Sequence, residues 1–595
     1  MNQTDNLPTR KLVECAMGRL PADLVIRDGR WVCVQSGEIV EHTDVAVIDS
    51  RVAYVGPDAS HAIGTATRVI QADGQYLVPG LLDGHMHVES TMLTVTELVR
   101  AVIPHGTTGI FIDPHEIANV FGLAGVKLMV DEAAVQPIDV YVQVPSCVPS
   151  NPGFETPGAD LGPKEVAQAL QWERVIGLGE VMNFPGVAAS DPKMLSEIGL
   201  TQAAGKVVGG HYASPDLGLP FHGYAAGGAQ DDHECTTVDD AVARARQGMK
   251  VMMRYGSAWQ DVAELSRAVT EMGCDPRAFI LCTDDSHSHT LFNEGHMDRV
   301  IRHAINCGLT PMQAIQMSTI NTAEHFGVSH RMGLIAPGRQ ADLLLVSSLE
   351  DFRVEMVILR GKVAAHAGHV LIEIADYPYP QWAIQSVHLE KEIQPAEFEI
   401  HTDRRGKVQA NVIGIIENQA PTRHLVTEVL VQDGQISADM AQDLAKVAVV
   451  ERHHGRGVSA RGLVSGFGFT IPCAVASTVG HDCHQMMIVG NDDACMAQAA
   501  NVLRKCGGGQ VVIANGEVSG LVELPIAGIM SNDAGQTVAR KAANVLAGFK
   551  ECGCQLNNPN MQLSLLGLVV IPEIRISDLG IVDINQMKFI DLVES

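Results

Sequence analysis

Two histidines spaced two positions apart, His85 and His87, are the first feature of this 595-residue sequence that could carry out chemistry. They close an apolar, strand-like segment that reads LLDGHMH. Side chains at positions i and i+2 of a strand point to the same side, so both imidazoles can reach one metal ion. The spacing therefore predicts a metal site at the end of this strand.

Four more side chains that bind metals follow other strand-like segments. Glu180 lies in GLGEVMN, His211 in GGHYAS, His233 in DDHECT and Asp284 in LCTDD. Four imidazoles and two carboxylates form a mixed set that suits Zn, Mn or Fe, and six ligands are too many for one tetrahedral ion. The predicted metal ligands of two divalent ions are therefore His85, His87, Glu180, His211, His233 and Asp284.

The elements that must position these ligands follow a βα alternation between residues 80 and 334. Eight strand-like segments precede helix-length stretches, which predicts an α/β fold with a (β/α)8 barrel of about the usual 250 residues. The sixth strand is the weakest, because the stretch GYAAGGAQ before DDHECT is rich in glycine. The ends of barrel strands share one mouth, so ligands at those ends are expected to meet.

Two further regions flank the predicted barrel. Short alternating strands in residues 1–79, together with 335–378, predict a composite N-terminal β-sandwich domain. The segment DYPYPQW reads as a linker, and residues 386–595 predict an additional mixed α/β C-terminal domain.

Composition narrows the classes of function. A content of 46% hydrophobic and 19% charged residues predicts large folded cores. The net charge of -27 opposes binding to nucleic acid and to anionic membranes, and favours a small substrate. The first twenty residues lack an apolar signal core, and the 13 scattered cysteines form no C-x-x-C pair. We therefore expect a cytoplasmic protein with reduced thiols.

Several segments resemble the adenine deaminase family of the amidohydrolase superfamily. The segments are PGLLDGHMHVEST, IDPHEIANVFG, GLGEVMNFPGV, DDHECT and CTDDSHSHTLFNEGHMDRVIRHAI, and the resemblance covers nearly the whole chain. It implies that His85, His87 and Asp284 bind one ion, that His211 and His233 bind the other, and that Glu180 bridges them. Mn or Fe is the expected metal, with Zn as a further candidate, and a homodimer is the expected assembly.

The resemblance implies hydrolytic deamination of free adenine to hypoxanthine and ammonia. A hydroxide shared by two ions would attack C6, and Asp284 would carry the water's proton to the leaving amine. Side chains beside the predicted strand ends would contact the substrate or orient the ligands. The predicted catalytic residues are Asp284, Glu180, His115, Glu116, Glu234 and Asp285.

Two alternatives stay open. Metal ligands alone do not select a ring, so a deaminase or cyclic amidohydrolase acting on another nitrogen heterocycle fits the same pattern. Tyr255 stands in MRYGSAW where an acidic residue is expected, which leaves contacts with the purine edge from the seventh strand uncertain. A catalytically silent ligand-binding protein is the alternative of another class.

The C-terminal region has its own polar cluster. It contains His453, His454, His481, Asp482 and His484 in the segments VVERHHGRG and VGHDCHQMM. These residues would bind another metal, close over the barrel mouth, or serve only the local structure.

Overall fold

The computed structural model describes residues 8–257 and 259–594; residues 1–7 of the predicted β-domain, residue 258 and residue 595 lie outside it. The described chain begins with helix α1, Pro8–Ala16, and five strands. The strands are β1 (Leu24–Cys33), β2 (Glu38–Ile48), β3 (Arg51–Gly56), β4 (Arg68–Gln71) and β5 (Tyr76–Pro79).

Eight parallel strands follow, in the order in which the sequence predicts them. They are β6 (Leu81–Met86), β7 (Thr107–Ile112), β8 (Asp139–Val144), β9 (Val175–Val181), β10 (Val207–Gly210), β11 (Asp231–Asp232), β12 (Lys250–Arg254) and β13 (Phe279–Cys282). The sixth strand was expected before DDHECT, but residues 219–227 are helical and β11 consists of the first two residues of that segment. Its shortness explains the faint pattern in the sequence.

Helices accompany these strands. They are α2 (Val95–Val102), α3 (His115–Phe121), α4 (Leu123–Ala134), α5 (Pro163–Ala169), α6 (Phe184–Ala188), α7 (Pro192–Ala203), α8 (Leu219–Gly227), α9 (Val238–Arg246), α10 (Val262–Leu265), α11 (Arg267–Thr270), α12 (Ser288–Asn293), α13 (Met297–Asn306), α14 (Pro311–Met317) and α15 (Ile320–His325). Apolar side chains on their inner faces pack against the strands in one continuous core.

The eight strands form one sheet of five and one of three, and polar contacts join the two sheets at both seams. At one seam the Asp284 amide donates to the His85 carbonyl at 3.0 Å, and Met86 and Asp284 form a parallel bridge. At the other seam the Gln230 amide donates to the Val208 carbonyl at 2.9 Å. The α/β class and a TIM-barrel-like domain are thereby confirmed.

Strands that precede the barrel in the sequence and strands that follow it pair in one nine-stranded mixed sheet. Its later members are β14 (Leu343–Val346), β15 (Val354–Leu359), β16 (Lys362–His366) and β17 (His369–Val370). The pairing order is β17-β16-β15-β14-β5-β1-β2-β3, and β4 pairs with β1. The junction is antiparallel pairing of β14 with β5, in which Leu344 faces Val78. The chain therefore leaves this sheet, builds the barrel and returns to the same sheet.

The C-terminal region combines a ten-stranded sheet with helices. Its strands are β18 (Ile400–His401), β19 (Gly406–Ile415), β20 (Thr422–Gln432), β21 (Gln435–Ile436), β22 (Leu444–Glu451), β23 (Gly457–Ser465), β24 (Cys473–Ser477), β25 (Met486–Gly490), β26 (Gly509–Ala514) and β27 (Glu517–Glu523), and a separate small sheet holds β28 (Ile574–Ser577), β29 (Gly580–Asp583) and β30 (Lys588–Ile590). Its helices are α16 (Gln381–Ile384), α17 (Asp493–Cys506), α18 (Gly535–Glu551) and α19 (Pro559–Leu565).

This region packs against the barrel. The Gly535 amide donates to Glu97 at 2.8 Å, and the Asn151 side chain donates to the Val569 carbonyl at 2.6 Å. The barrel core also continues into apolar side chains of the C-terminal sheet. None of the described helices is both long and apolar enough to span a membrane.

Asp83 ties β6 to the end of β13 from a fully buried position. It accepts hydrogen bonds from the Thr283 amide at 3.0 Å and the Thr283 hydroxyl at 2.5 Å. We expect Asp83→Ala to lower the free energy of unfolding by about 2–3 kcal/mol, because two buried donors lose their acceptor. Urea denaturation measures this change. Asp403→Ala, at an exposed position, is the control, and equal midpoints for the two variants would contradict the assignment.

Candidate metal centre

His85 and His87 lie at the tip of β6 with their rings close together. The ring centroids are 4.8 Å apart. Nδ1 of His87 lies 2.8 Å from the Asp113 carbonyl, which fixes an N–H at that atom. The lone pair of His87 Nε2 is thereby directed into the barrel mouth.

Glu180, at the end of β9, lies at the centre of the cluster. Its Oε1 atom is 3.0 Å from Nε2 of both His85 and His87, and 3.4 Å from Nε2 of His233. Its Oε2 atom is 2.9 Å from Nδ1 of His211. One carboxylate therefore touches all four predicted histidine ligands, from three other strand ends.

Asp284 follows β13 and completes the set. Its Oδ1 atom is 3.3 Å from Nε2 of His87 and 3.7 Å from Nε2 of His85. Its φ of 56° lies in the left-handed region, which is uncommon for a residue with a side chain and is typical of functional sites. The structure brings all six predicted ligands together.

The donor atoms fit divalent cations. Ligand atoms of His85, His87, Glu180 and Asp284 lie within 4.8 Å of one another, as do those of Glu180, His211 and His233. His85 Nε2 and His211 Nδ1 are buried and make no hydrogen bond to any described residue, although both lie close to Glu180. Lone pairs that converge in this way, shared through one carboxylate, match the surroundings of two neighbouring ions.

The charges of the site favour ionised carboxylates. Burial alone would raise the pKa of Glu180, but the imidazoles of His211 and His233 hold that pKa well below its usual range. Burial likewise opposes ionisation of Asp284, and His87 with His233 lowers its pKa. Both carboxylates are therefore ionised at neutral pH.

The remaining predicted residues surround the ligands. The His115 ring lies 4.7 Å from that of His87, and Glu234 contacts His233 at 3.7 Å. Asp285 accepts a hydrogen bond from Ser90. Burial, and then the nearby Glu89, raise the pKa of Glu116 well above its usual range.

Arg254 is a site residue that the sequence analysis missed. Its buried guanidinium contacts Asp284 at 3.3 Å, Asp261 at 2.8 Å and Glu234. The only signal in the sequence is a cation at the end of a barrel strand. Its neighbour Tyr255 instead stacks on His303 with ring centroids 3.7 Å apart.

Two buried carboxyl groups were also missed. Asp113 accepts the Glu180 amide hydrogen bond at 2.7 Å, and burial raises its pKa to about 7. Glu89 accepts from the Ile117 amide at 3.2 Å, and burial raises its pKa to about 7. Their positions after strand ends, in HVEST and FIDPH, were the available signal.

A buried His and carboxylate cluster at the tips of parallel α/β strands is typical of metal-dependent hydrolases. Residues 76–364 match the amidohydrolase family, and residues 419–588 match the adenine deaminase C-terminal domain. The class of the protein is therefore the amidohydrolases.

Relatives along the full length narrow the class. The chain is 56% identical to adenine deaminase 3 of Rhizobium meliloti, over 98% of both chains. It is 57% identical to an adenine deaminase of Mesorhizobium japonicum, over 98% of this chain and 96% of the relative, and 49% identical to one of Moorella thermoacetica, over 98% of both. The chain belongs to the adenine deaminase family.

The ligand assignment is tested by counting metal. We expect His85→Ala protein, reconstituted with Mn²⁺, to retain at most one of two equivalents, because His85 is among the donors nearest to the Glu180 carboxylate. Inductively coupled plasma mass spectrometry gives the count. His289→Ala removes an exposed histidine beyond the same seam and should retain both ions. Full metal content in His85→Ala protein would refute the assignment.

Arg254 is expected to orient Asp284. Arg254→Met should lower kcat/KM by about 100-fold, because Asp284 and Glu234 lose a buried cation that fixes their geometry. The metal count should fall much less than in His85→Ala protein. Arg246→Met, at an exposed helical arginine, is the matched control. If the two variants have the same kcat/KM, Arg254 has no such role.

Proposed function

We propose that this chain catalyses hydrolytic deamination of free adenine to hypoxanthine and ammonia, as a hydrolase acting on the C–N bond of a cyclic amidine. The observation that carries the proposal is the contact of one carboxylate, Glu180, with four imidazoles inside the barrel mouth. The names of the full-length relatives supply the substrate.

Each ligand has a proposed place. His85, His87 and Asp284 would hold one divalent cation, His211 and His233 would hold the second, and Glu180 would bridge them. Mn or Fe is the proposed metal, with Zn as a further candidate. When bound, two such cations lower the pKa of a shared water towards neutrality and so supply the nucleophile.

The chain's own groups then control the protons. Asp284 would take a proton from the attacking water and pass it to the exocyclic nitrogen, so that ammonia leaves as a neutral molecule. One oxygen of Asp284 faces the histidines and the other faces Arg254. Arg254 therefore keeps this carboxylate in a single orientation while the proton moves.

Other buried groups would hold the purine. Glu116, whose pKa burial raises, would hydrogen-bond to a ring nitrogen, while His115 lies against His87 at the edge of the ligand set. Glu234 would keep Arg254 in place, and Asp285 would keep Ser90 in place. Donors and acceptors fixed in a dry site stabilise the charge that develops on the ring.

The domain limits are part of the proposal. We assign residues 1–79 with 335–378 to a composite β-sandwich domain, 80–334 to the barrel, and 386–595 to the C-terminal domain. Pairing of β14 with β5 supports the first assignment, and the extent of the family match supports the last. A homodimer, a cytoplasmic location and independence from nucleic acid and membranes stay predictions from the sequence.

Ammonia release tests the function. Protein reconstituted with Mn²⁺ should release ammonia from adenine, and much less from guanine, cytosine or adenosine. Metal-free protein should release none, because the water then keeps its ordinary pKa. Coupled glutamate dehydrogenase measures the ammonia. If ammonia were released faster from guanine, cytosine or adenosine, that compound would be the substrate in place of adenine. If the protein bound metal but turned over none of the four compounds, a catalytically silent ligand-binding protein would be favoured.

A further inference from the structure

A loop of the C-terminal region, residues 480–485, reaches the mouth of the barrel. It connects β24 to β25. The Gln485 side chain donates to the Thr156 carbonyl at 2.8 Å on the barrel side. On the C-terminal side, the His481 amide donates to the Ser564 carbonyl at 3.2 Å. The loop is therefore fixed between the two regions.

The side chains of this loop meet residues of the barrel site. His481 Nδ1 lies 3.6 Å from Glu116 and 3.8 Å from Asp482. The metal-ligating atoms of His115, His481 and Asp482, which are ring nitrogens and a carboxylate oxygen, lie within 4.8 Å of one another. The metal-ligating atoms of Asp113, His115 and Glu180 also lie within 4.8 Å of one another. Neighbouring polar side chains therefore connect Glu180 to the loop.

Three of the buried polar atoms in and beside this loop make no hydrogen bond to any residue between 8 and 594 that the structure describes. They are Nδ1 of His115, Oδ2 of Asp482 and Nε2 of His484. The three residues are 5%, 2% and 0% exposed. Unpaired polar atoms at such depth are rare, and three in one place indicate a ligand that hydrogen-bonds to them.

The chemistry of the three atoms favours an organic ring over a third cation. Nδ1 of His484 accepts a hydrogen bond from the Gly480 amide at 3.2 Å, so the neutral ring carries its proton on Nε2. That atom is a donor and offers no lone pair to a metal. Asp482 Oδ2 is an acceptor. The loop therefore presents both kinds of group, as the edge of a purine requires.

We propose that this loop is the far wall of the purine site, with Asp482 accepting the ring N–H of free adenine and His481 and His484 hydrogen-bonding to its ring nitrogens. The proposal rests on the proposed function. Adenine has one ring N–H besides its exocyclic amine, and the amine must face the metal ligands. A buried carboxylate that accepts this N–H would select a free base over any purine substituted at that nitrogen.

Kinetics with two substrates test this role. Metal-loaded wild-type protein should deaminate adenine at least about 100-fold more efficiently than 9-methyladenine, which lacks the ring N–H. Asp482→Asn should lower kcat/KM for adenine by about 10- to 100-fold, mainly through KM, and should narrow the preference over 9-methyladenine. His481→Gln should also raise KM.

Controls separate binding from structure and from metal loss. Both variants should keep two metal equivalents and the melting temperature of His454→Gln, which changes a half-exposed histidine of the same region. Wild-type kcat/KM in both variants, or loss of a metal equivalent from them, would overturn the proposal.

The wild-type protein alone also provides a decisive result. Equal turnover of adenine and 9-methyladenine would overturn the proposal even if neither variant folded. If the wild-type protein deaminates no adenine, the proposed function itself fails. If it does, and Asp482→Asn is unaffected, only the role of the loop fails.

Discussion

The contact of the Glu180 carboxylate with four imidazoles is the interaction on which the rest of the site depends. All of these groups are almost fully buried except His211, which is half-buried. An isolated carboxylate in such a buried environment would take up a proton. The surrounding imidazoles keep Glu180 ionised, and its two oxygens together reach all four histidines: Oε1 contacts His85, His87 and His233, and Oε2 contacts His211. A shift of one strand end by a few ångströms would break the contacts between Glu180 and the histidines.

The sequence was sufficient to predict that these six side chains meet, because each candidate ligand stands at a repeated place in a repeated unit. All except His233 follow or end an apolar segment, and parallel strands in a closed sheet bring their ends together. The segment before Asp284 was recognisable from its four apolar residues, whereas the sixth strand had no clear pattern of its own. The other seven strands were predicted from their own residues, and β11 lies inside the DDHECT segment rather than before it.

The surroundings of the ligands were less accessible. Arg254 pairs with Glu234, Asp261 and Asp284 through contacts up to 30 positions apart, and no spacing rule relates them. Asp113 and Glu89 act through backbone amides of other segments, which a linear pattern does not reveal. Contacts between the barrel and loop 480–485 join still more distant parts of the chain, so the sequence alone left several interpretations of the histidines of that loop open.

The hydrogen bonds between Asp83 and Thr283 span 200 positions of the sequence. A chain emerging from the ribosome exposes His85 and His87 long before the strand that leads to Asp284 has been synthesised. Contacts of such separation form slowly, and they leave early segments without their partners for much of synthesis. The ability to retain metal should therefore arise late and abruptly, when the last barrel strand closes the ring.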